Sequence, residues 1–220
     1  MPHPLEGIML PGSHRAWNIT TTIASQRGFY LAGGTGLAIY LHHRKSTDLD
    51  FFVHGNFDFQ EIVTELKNST LSIAVTQLSQ GTLNVLCDSV LVQFLSVAGQ
   101  TQLSPTSRID TADVAAIPDI LAMKLNAVMG RAKLRDYFDL MVIDQQTGYP
   151  IELGIQFFLH RYHAAVPDQT VATLIRALGY LDDVEDDATV PIERKKVVDF
   201  WNFRSVDVAN HIDRNGISGL

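Results

Sequence analysis

The chain has 220 residues, 46% hydrophobic and 19% charged, with a formal net charge of −7 and one cysteine. That supports one substantial core, or a core domain plus a helical appendage, and no apolar run approaches the roughly 18 residues of a membrane span. The lone Cys87 excludes an internal disulfide and a cysteine zinc cage, and the acidic balance argues against a surface that grips nucleic acid broadly. With no basic-then-apolar leader at the start, the cytoplasm is the expected location.

Residues 14–26 read as a helix with Ser13 as N-cap and Gly28 beyond its end. Phe29-Tyr30-Leu31-Ala32 is a short apolar strand that stops at Gly33-Gly34, and a short helix follows from Thr35. Strand 48–53 comes next, then an amphipathic helix over 58–67 with Phe59, Ile62, Val63 and Leu66 on one side. Segments 71–78, 82–86 and 90–95 are β-rich and separated by Ser79-Gln80-Gly81 and Asp88-Ser89, which makes a meander. Past Pro105, an extended piece near 108–114 gives way to helices over 117–129, 134–145, 151–162, 169–178 and 192–212. The expected fold is therefore α+β: a mixed sheet flanked by helices over residues 1–105, then a helical bundle over 106–220.

Asp48 and Asp50 are two apart on a strand, so both carboxylates project to one face. Their repulsion is relieved by a hard, oxygen-seeking divalent cation, Mg²⁺ above all. Upstream, Gly33-Gly34-Thr35 stands where a strand turns into a helix, and backbone N–H groups there can point at phosphate oxygens. Taken singly these are also a solvated strand edge, a tight turn and a helix cap; together they suit a triphosphate and its metal. Arg44 and Ser46, between the two motifs, either touch phosphate or cap the strand. In the second half, Lys124 and Arg131 stand two helical turns apart and share a face if the helix runs unbroken past Gly130. Asp136 and Asp139, one turn apart on the next helix, can orient either cation or form ordinary surface ion pairs.

Two stretches, Leu31-Ala32-Gly33-Gly34-Thr35-Gly36-Leu37-Ala38 and His43-Arg44-Lys45-Ser46-Thr47-Asp48-Leu49-Asp50-Phe51-Phe52, resemble the first motif of the AbiEii/AbiGii toxin family of nucleotidyltransferases. Gly81-Thr82-Leu83-Asn84-Val85-Leu86, the segment from Asp119 to Ala127, Arg135-Asp136-Tyr137-Phe138-Asp139-Leu140 and the acidic run from Leu178 to Glu185 are similar to later stretches of that family. The resemblance implies a DNA polymerase β-like nucleotidyltransferase fold, NTP and Mg²⁺ as ligands, and transfer of a nucleoside monophosphate or nucleotide to an acceptor hydroxyl. It puts Gly33, Gly34 and Thr35 on phosphates, Asp48 and Asp50 on metal and Lys124 on the triphosphate, and it makes Asp136 or Asp139 the last acidic catalytic residue. With that pattern in view, Arg44, Ser46 and Arg131 join the nucleotide-binding set. A tRNA acceptor and a cognate antitoxin are further implications at the family level.

One departure stands out: where many enzymes of the wider superfamily carry a third carboxylate on a following strand, this chain offers Gln93, which is neither a charged ligand nor a base. Two alternatives stay open beside the transferase: a nucleotide-binding or partner-binding module of the same fold that no longer turns over, and an enzyme acting on a small molecule such as an aminoglycoside. His42-His43 and the pair His160/His163 lack the further ligands that a zinc or manganese site needs.

Overall fold

A computed structural model describes residues 3–10, 12–131 and 133–217, and the chain divides into two compact units. The first, residues 1–100 and 104–116, runs α1 (Ser13–Ser25), β1 (Tyr30–Leu31), α2 (Gly33–Leu41), β2 (Asp48–Val53), α3 (Gln60–Asn68), β3 (Ile73–Ser79), β4 (Thr82–Cys87), β5 (Val90–Ser96), β6 (Ser107–Ile109) and β7 (Ala112–Val114). Its strands form one mixed sheet in the order β3-β4-β5-β2-β1-β7-β6. The expected meander is β3-β4-β5; β5 then lies parallel to β2, and β2 antiparallel to β1.

Alternation decides the layering. Leu49 and Phe51 of β2, Val92 and Phe94 of β5, and Leu83 and Val85 of β4 are all 0–1% exposed. They join one core with Ala16, Trp17 and Ile23 of α1 and Ile62, Val63 and Leu66 of α3. Each large side chain buried there contributes about 2 kcal/mol over leaving it in water. Asp48 and Asp50 occupy the intervening positions, half-buried, on the face away from those helices.

Helix α1 begins one residue earlier than expected, so Ser13 is its first helical residue and Gly12 the N-cap, without a capping side chain. Its unusual Thr20-Thr21-Thr22 run is tolerated because each hydroxyl donates to the carbonyl four residues back, which satisfies Thr20 and Thr21 even at full burial. The extended piece expected near 108–114 is the hairpin of β6 and β7, turned through Asp110 at φ 53°. Because β7 pairs in parallel with β1, the first unit continues to Ala116, eleven residues past the boundary at 105 that the composition suggests.

The second unit, residues 101–103 and 117–220, carries α4 (Ile117–Gly130), α5 (Leu134–Gln146), α6 (Ile151–Tyr162), α7 (Pro167–Gly179) and α8 (Arg194–Asn215). Segment 101–103 belongs to it through a buried ion pair: Arg161 Nη1 reaches Asp119 Oδ1 at 2.6 Å, Asp119 also accepts from the Leu103 N–H at 2.9 Å, and Thr101 N–H donates to the Arg161 carbonyl at 3.0 Å. Gly154 lets α6 approach α4, since a Cβ there would stand 2.9 Å from the Leu121 side chain. Helix α8 is fastened by Arg204, which binds Asp144 of α5 at 2.9 Å and Glu152 of α6 at 2.8 Å, and by Trp201 Nε1, which donates to the Tyr137 carbonyl at 3.0 Å. Among the described residues no helix is long and apolar enough to cross a membrane.

Candidate active site

Two clusters contain the residues singled out by sequence, one in each unit. In the first, β1 ends at Leu31 and the Ala32 N–H donates to the Asp50 carbonyl at 2.9 Å, so the glycine turn starts directly beside the second aspartate of β2. Gly33 has φ +64°, a left-handed conformation that only glycine adopts without strain, and a Cβ on it would collide with Asp50 Oδ2. Gly34 is equally constrained, because a Cβ there would run into the Arg44 guanidinium and stand 3.2 Å from Ser46 Oγ. Gly33, Gly34, Arg44, Ser46 and Asp50 are thus neighbours in space, and the first-turn N–H groups of α2 face no carboxylate of their own helix.

The structure narrows the role of Thr35. Its side chain is fully buried, 2.8 Å from Ser46 Oγ and hydrogen-bonded to the Asp48 carbonyl. The hydroxyl therefore ties the helix to the strand that carries the aspartates. Arg44 is 6% exposed, with Nη1 donating to the Lys45 carbonyl at 2.8 Å. His42 closes α2 in a left-handed conformation at φ 48°, its N–H donating to the Ala38 carbonyl at 2.9 Å, and so it is a helix terminator.

Opposite Asp50 in the parallel ladder stands Gln93. Its Nε2 donates to Asn84 Oδ1 at 2.9 Å, and Asn84 Nδ2 donates to Gln77 Oε1 at 2.9 Å. Uncharged amides therefore occupy the row beside Asp50. Asn84 and Gln77 were missed in the sequence, although the signal was there. The two-residue turns at Gln80-Gly81 and Asp88-Ser89 set the registers Ser79↔Thr82 and Cys87↔Val90, from which Gln77↔Asn84 and Asn84↔Gln93 follow by counting.

In the second unit, Lys124 is 5% exposed and Asp136 and Asp139 are fully buried. Lys124 Nζ lies 2.7 Å from Asp136 Oδ1 and 2.6 Å from Asp139 Oδ2. Arg131 reaches Asp136 Oδ2 at 3.1 Å, with its side chain 52% exposed. Helix α4 ends at Gly130, so the unbroken face expected for Lys124 and Arg131 does not exist; the two cations converge because both bind Asp136. Burial pushes the Asp136 carboxyl up, but Lys124 and Arg131 outweigh it and hold it below the usual carboxylate range. The ordinary surface ion pairing weighed for these residues gives way to a buried one. His163 caps α6 at φ 50° and lies 3.0 Å from Thr101 Oγ1, and among the described residues no group of three His, Cys, Asp or Glu could hold a metal ion.

Residues 22–86, which contain the glycine turn, Asp48 and Asp50, match the family of the nucleotidyl transferase AbiEii toxin, a type IV toxin–antitoxin system. A relative from Aquifex aeolicus, the uncharacterized protein aq_aa25, is 26% identical over 167 residues, which is 75% of this chain and 79% of that protein. Among solved structures, a candidate nucleotidyltransferase from H. pylori superposes with a TM-score of 0.55 at 15% identity, covering 93% of this chain and 98% of the other. MenT4, a nucleotidyltransferase toxin from Mycobacterium tuberculosis, superposes at 0.51 with 16% identity, covering 89% and 84%. Segment 22–86 is thus similar to the AbiEii nucleotidyl transferase toxin family, and the two superpositions show that the chain has the nucleotidyltransferase fold.

Proposed function

We propose that the chain transfers a nucleoside monophosphate from an NTP to an acceptor hydroxyl, with Mg²⁺ held by Asp48 and Asp50. The observation that carries this reading is the close seat of Gly33 against Asp50, which puts the N–H groups at the start of α2 next to a carboxylate pair. Two carboxylates completed by substrate phosphates are the donor set Mg²⁺ takes in phosphoryl transfer, so the residues present fit the ion. When bound, Mg²⁺ neutralises phosphate charge. The chain's own groups do the rest: the α2 N–H groups and Arg44 orient the triphosphate, and the acceptor oxygen attacks the α-phosphorus as pyrophosphate leaves.

In the helical unit, the family resemblance assigns Lys124 to the triphosphate and Asp136 or Asp139 to an acidic catalytic role. Burial favours Arg131 as the cation available to phosphate, with Lys124 and its two aspartates as a scaffold. By the same extension tRNA is the acceptor, an antitoxin the partner and the cytoplasm the compartment. Gln93 motivates a second reading, a nucleotide-binding module without turnover, because its amide cannot take a proton.

The deciding experiment is pyrophosphate release from each of the four NTPs with Mg²⁺ and total tRNA, comparing wild type with Asp48→Ala/Asp50→Ala. Release that requires tRNA and disappears in the double variant supports the transferase. Mg²⁺-dependent NTP binding with no release across tRNA and small-molecule acceptors, aminoglycosides included, supports the module.

A further inference from the structure

The amide row beside Asp50 has a direction. Gln77 Nε2 lies 3.4 Å from Ser79 Oγ, Asn84 Nδ2 donates to Gln77, and Gln93 Nε2 donates to Asn84, so every NH₂ group points away from β2. An amide has two arms, and with the Nε2 arm of Gln93 turned to β4 the remaining arm is the carbonyl Oε1. Register makes Asp50 the neighbour of Gln93 on the other side, on strands about 4.8 Å apart. The row lies on the face away from α1 and α3, and Gln93 and Asn84 are half-buried there, neither sealed in the core nor fully in solvent.

We propose that Gln93 Oε1 receives the hydrogen bond of the attacking acceptor hydroxyl, and that Asn84 and Gln77 are positioning residues that lock the carbonyl in that orientation. This rests on the transferase reading and adds its acceptor side: an uncharged hydrogen-bonding row in place of a third carboxylate. In the step, the acceptor O–H bond breaks as its oxygen bonds to the α-phosphorus. The bond from that phosphorus to the bridging oxygen breaks, pyrophosphate leaves with the electron pair, and the proton goes to solvent. Gln93 aligns the oxygen and takes no proton. Asn84 acts through Gln93, because without its Oδ1 the Gln93 amide is free to turn its NH₂ toward the hydroxyl.

The test uses the intact chain with Mg²⁺, each of the four NTPs and, in turn, total tRNA, an aminoglycoside and water as the acceptor. It reads kcat and KM for release of pyrophosphate, together with affinity for a fluorescent nucleotide. Gln93→Leu lowers kcat on the order of 100-fold, the scale of loss for a misplaced nucleophile, while KM for the NTP and nucleotide affinity stay within about 2-fold. Gln93→Glu restores most of kcat, because Asn84 can turn its NH₂ to the new carboxylate and an acceptor oxygen remains. Asn84→Ala, which keeps Gln93 itself, falls between wild type and Gln93→Leu and decides the matter should Gln93→Leu fail to fold. An unchanged kcat in Gln93→Leu and Asn84→Ala, or a loss that follows nucleotide affinity instead of kcat, overturns the role. Release abolished by Asp48→Ala/Asp50→Ala but intact in Gln93→Leu sinks the acceptor assignment alone. No release from the wild type with any NTP counts against the transferase and removes the Gln93 role with it.

Discussion

The two units each bring a pair of aspartates together, and the pairs have opposite surroundings. Asp48 and Asp50 sit half-buried on one face of β2, beside a helix N-terminus kept open by two glycines. Asp136 and Asp139 are fully buried, with the Lys124 ammonium within 2.7 Å of both. Carboxylates withdrawn from water need a cation within the fold, because an unpaired buried charge costs several kcal/mol. Carboxylates left at a surface can take their cation from a substrate. Position relative to solvent, not residue type, separates the pair suited to ligands from the pair suited to holding helices together.

The contrast is sharpest if stability and turnover come apart. Asp48→Ala/Asp50→Ala is expected to reduce nucleotidyl transfer by at least about 1000-fold, as when electrostatic stabilisation is lost from an active site. The same double variant is expected to change unfolding free energy by less than about 1 kcal/mol. Lys124→Met should do the reverse to the fold, costing about 3–5 kcal/mol by removing the ammonium that lies within 2.7 Å of both buried carboxylates, Asp136 and Asp139. The two tryptophans make this measurable: Trp17 lies in the first unit and Trp201 in the second, so urea unfolding on a Trp17→Phe background follows the helical unit alone. An unchanged midpoint in Lys124→Met would break the comparison.

Gly33→Ala tests the open side of the contrast at smaller scale. The added methyl displaces Asp50 and meets a positive φ, so transfer should fall about 100-fold. The accompanying stability loss should be near 1 kcal/mol. Equal activity in this variant would show that the glycine serves only the turn.

Acid separates the pairs next. Because Lys124 and Arg131 hold the folded-state pKa of Asp136 below its unfolded value of about 3.9, its stabilising contribution is complete above that pH and is lost as the pH falls through the folded value. Urea midpoints followed through Trp201 should therefore drop below about pH 4, and Asp136→Asn should flatten that dependence. The smallest effect expected is that of Arg131→Ala, whose side chain is 52% exposed: under about 1 kcal/mol in the same unfolding assay.

Much of the fold was legible because the relevant signals are local. Period-two alternation in Asp48–Val53 placed both aspartates on one face, and the amphipathic pattern found every long helix of the second half to within a few residues. The hairpin arithmetic of β3, β4 and β5 was also available, and it contained the Gln77-Asn84-Gln93 row. The boundary at 105 fell short because β6 and β7 are too brief to announce a sheet, and β7 joins it through a parallel pairing with β1 across most of the first unit.

By itself, then, the sequence determined the elements, the shared face of Asp48 and Asp50, the glycine turn ahead of them and the resemblance to a nucleotidyltransferase family. Tertiary structure alone decided that Gly33 packs against Asp50, that the Thr35 hydroxyl is tied to the Asp48 carbonyl, that Gln93 stands opposite Asp50, and that Lys124 is bound by Asp136 and Asp139. The reason is range: alternation and turn length act over a few residues, whereas burial and the partners of a charge depend on chain segments brought together only by folding.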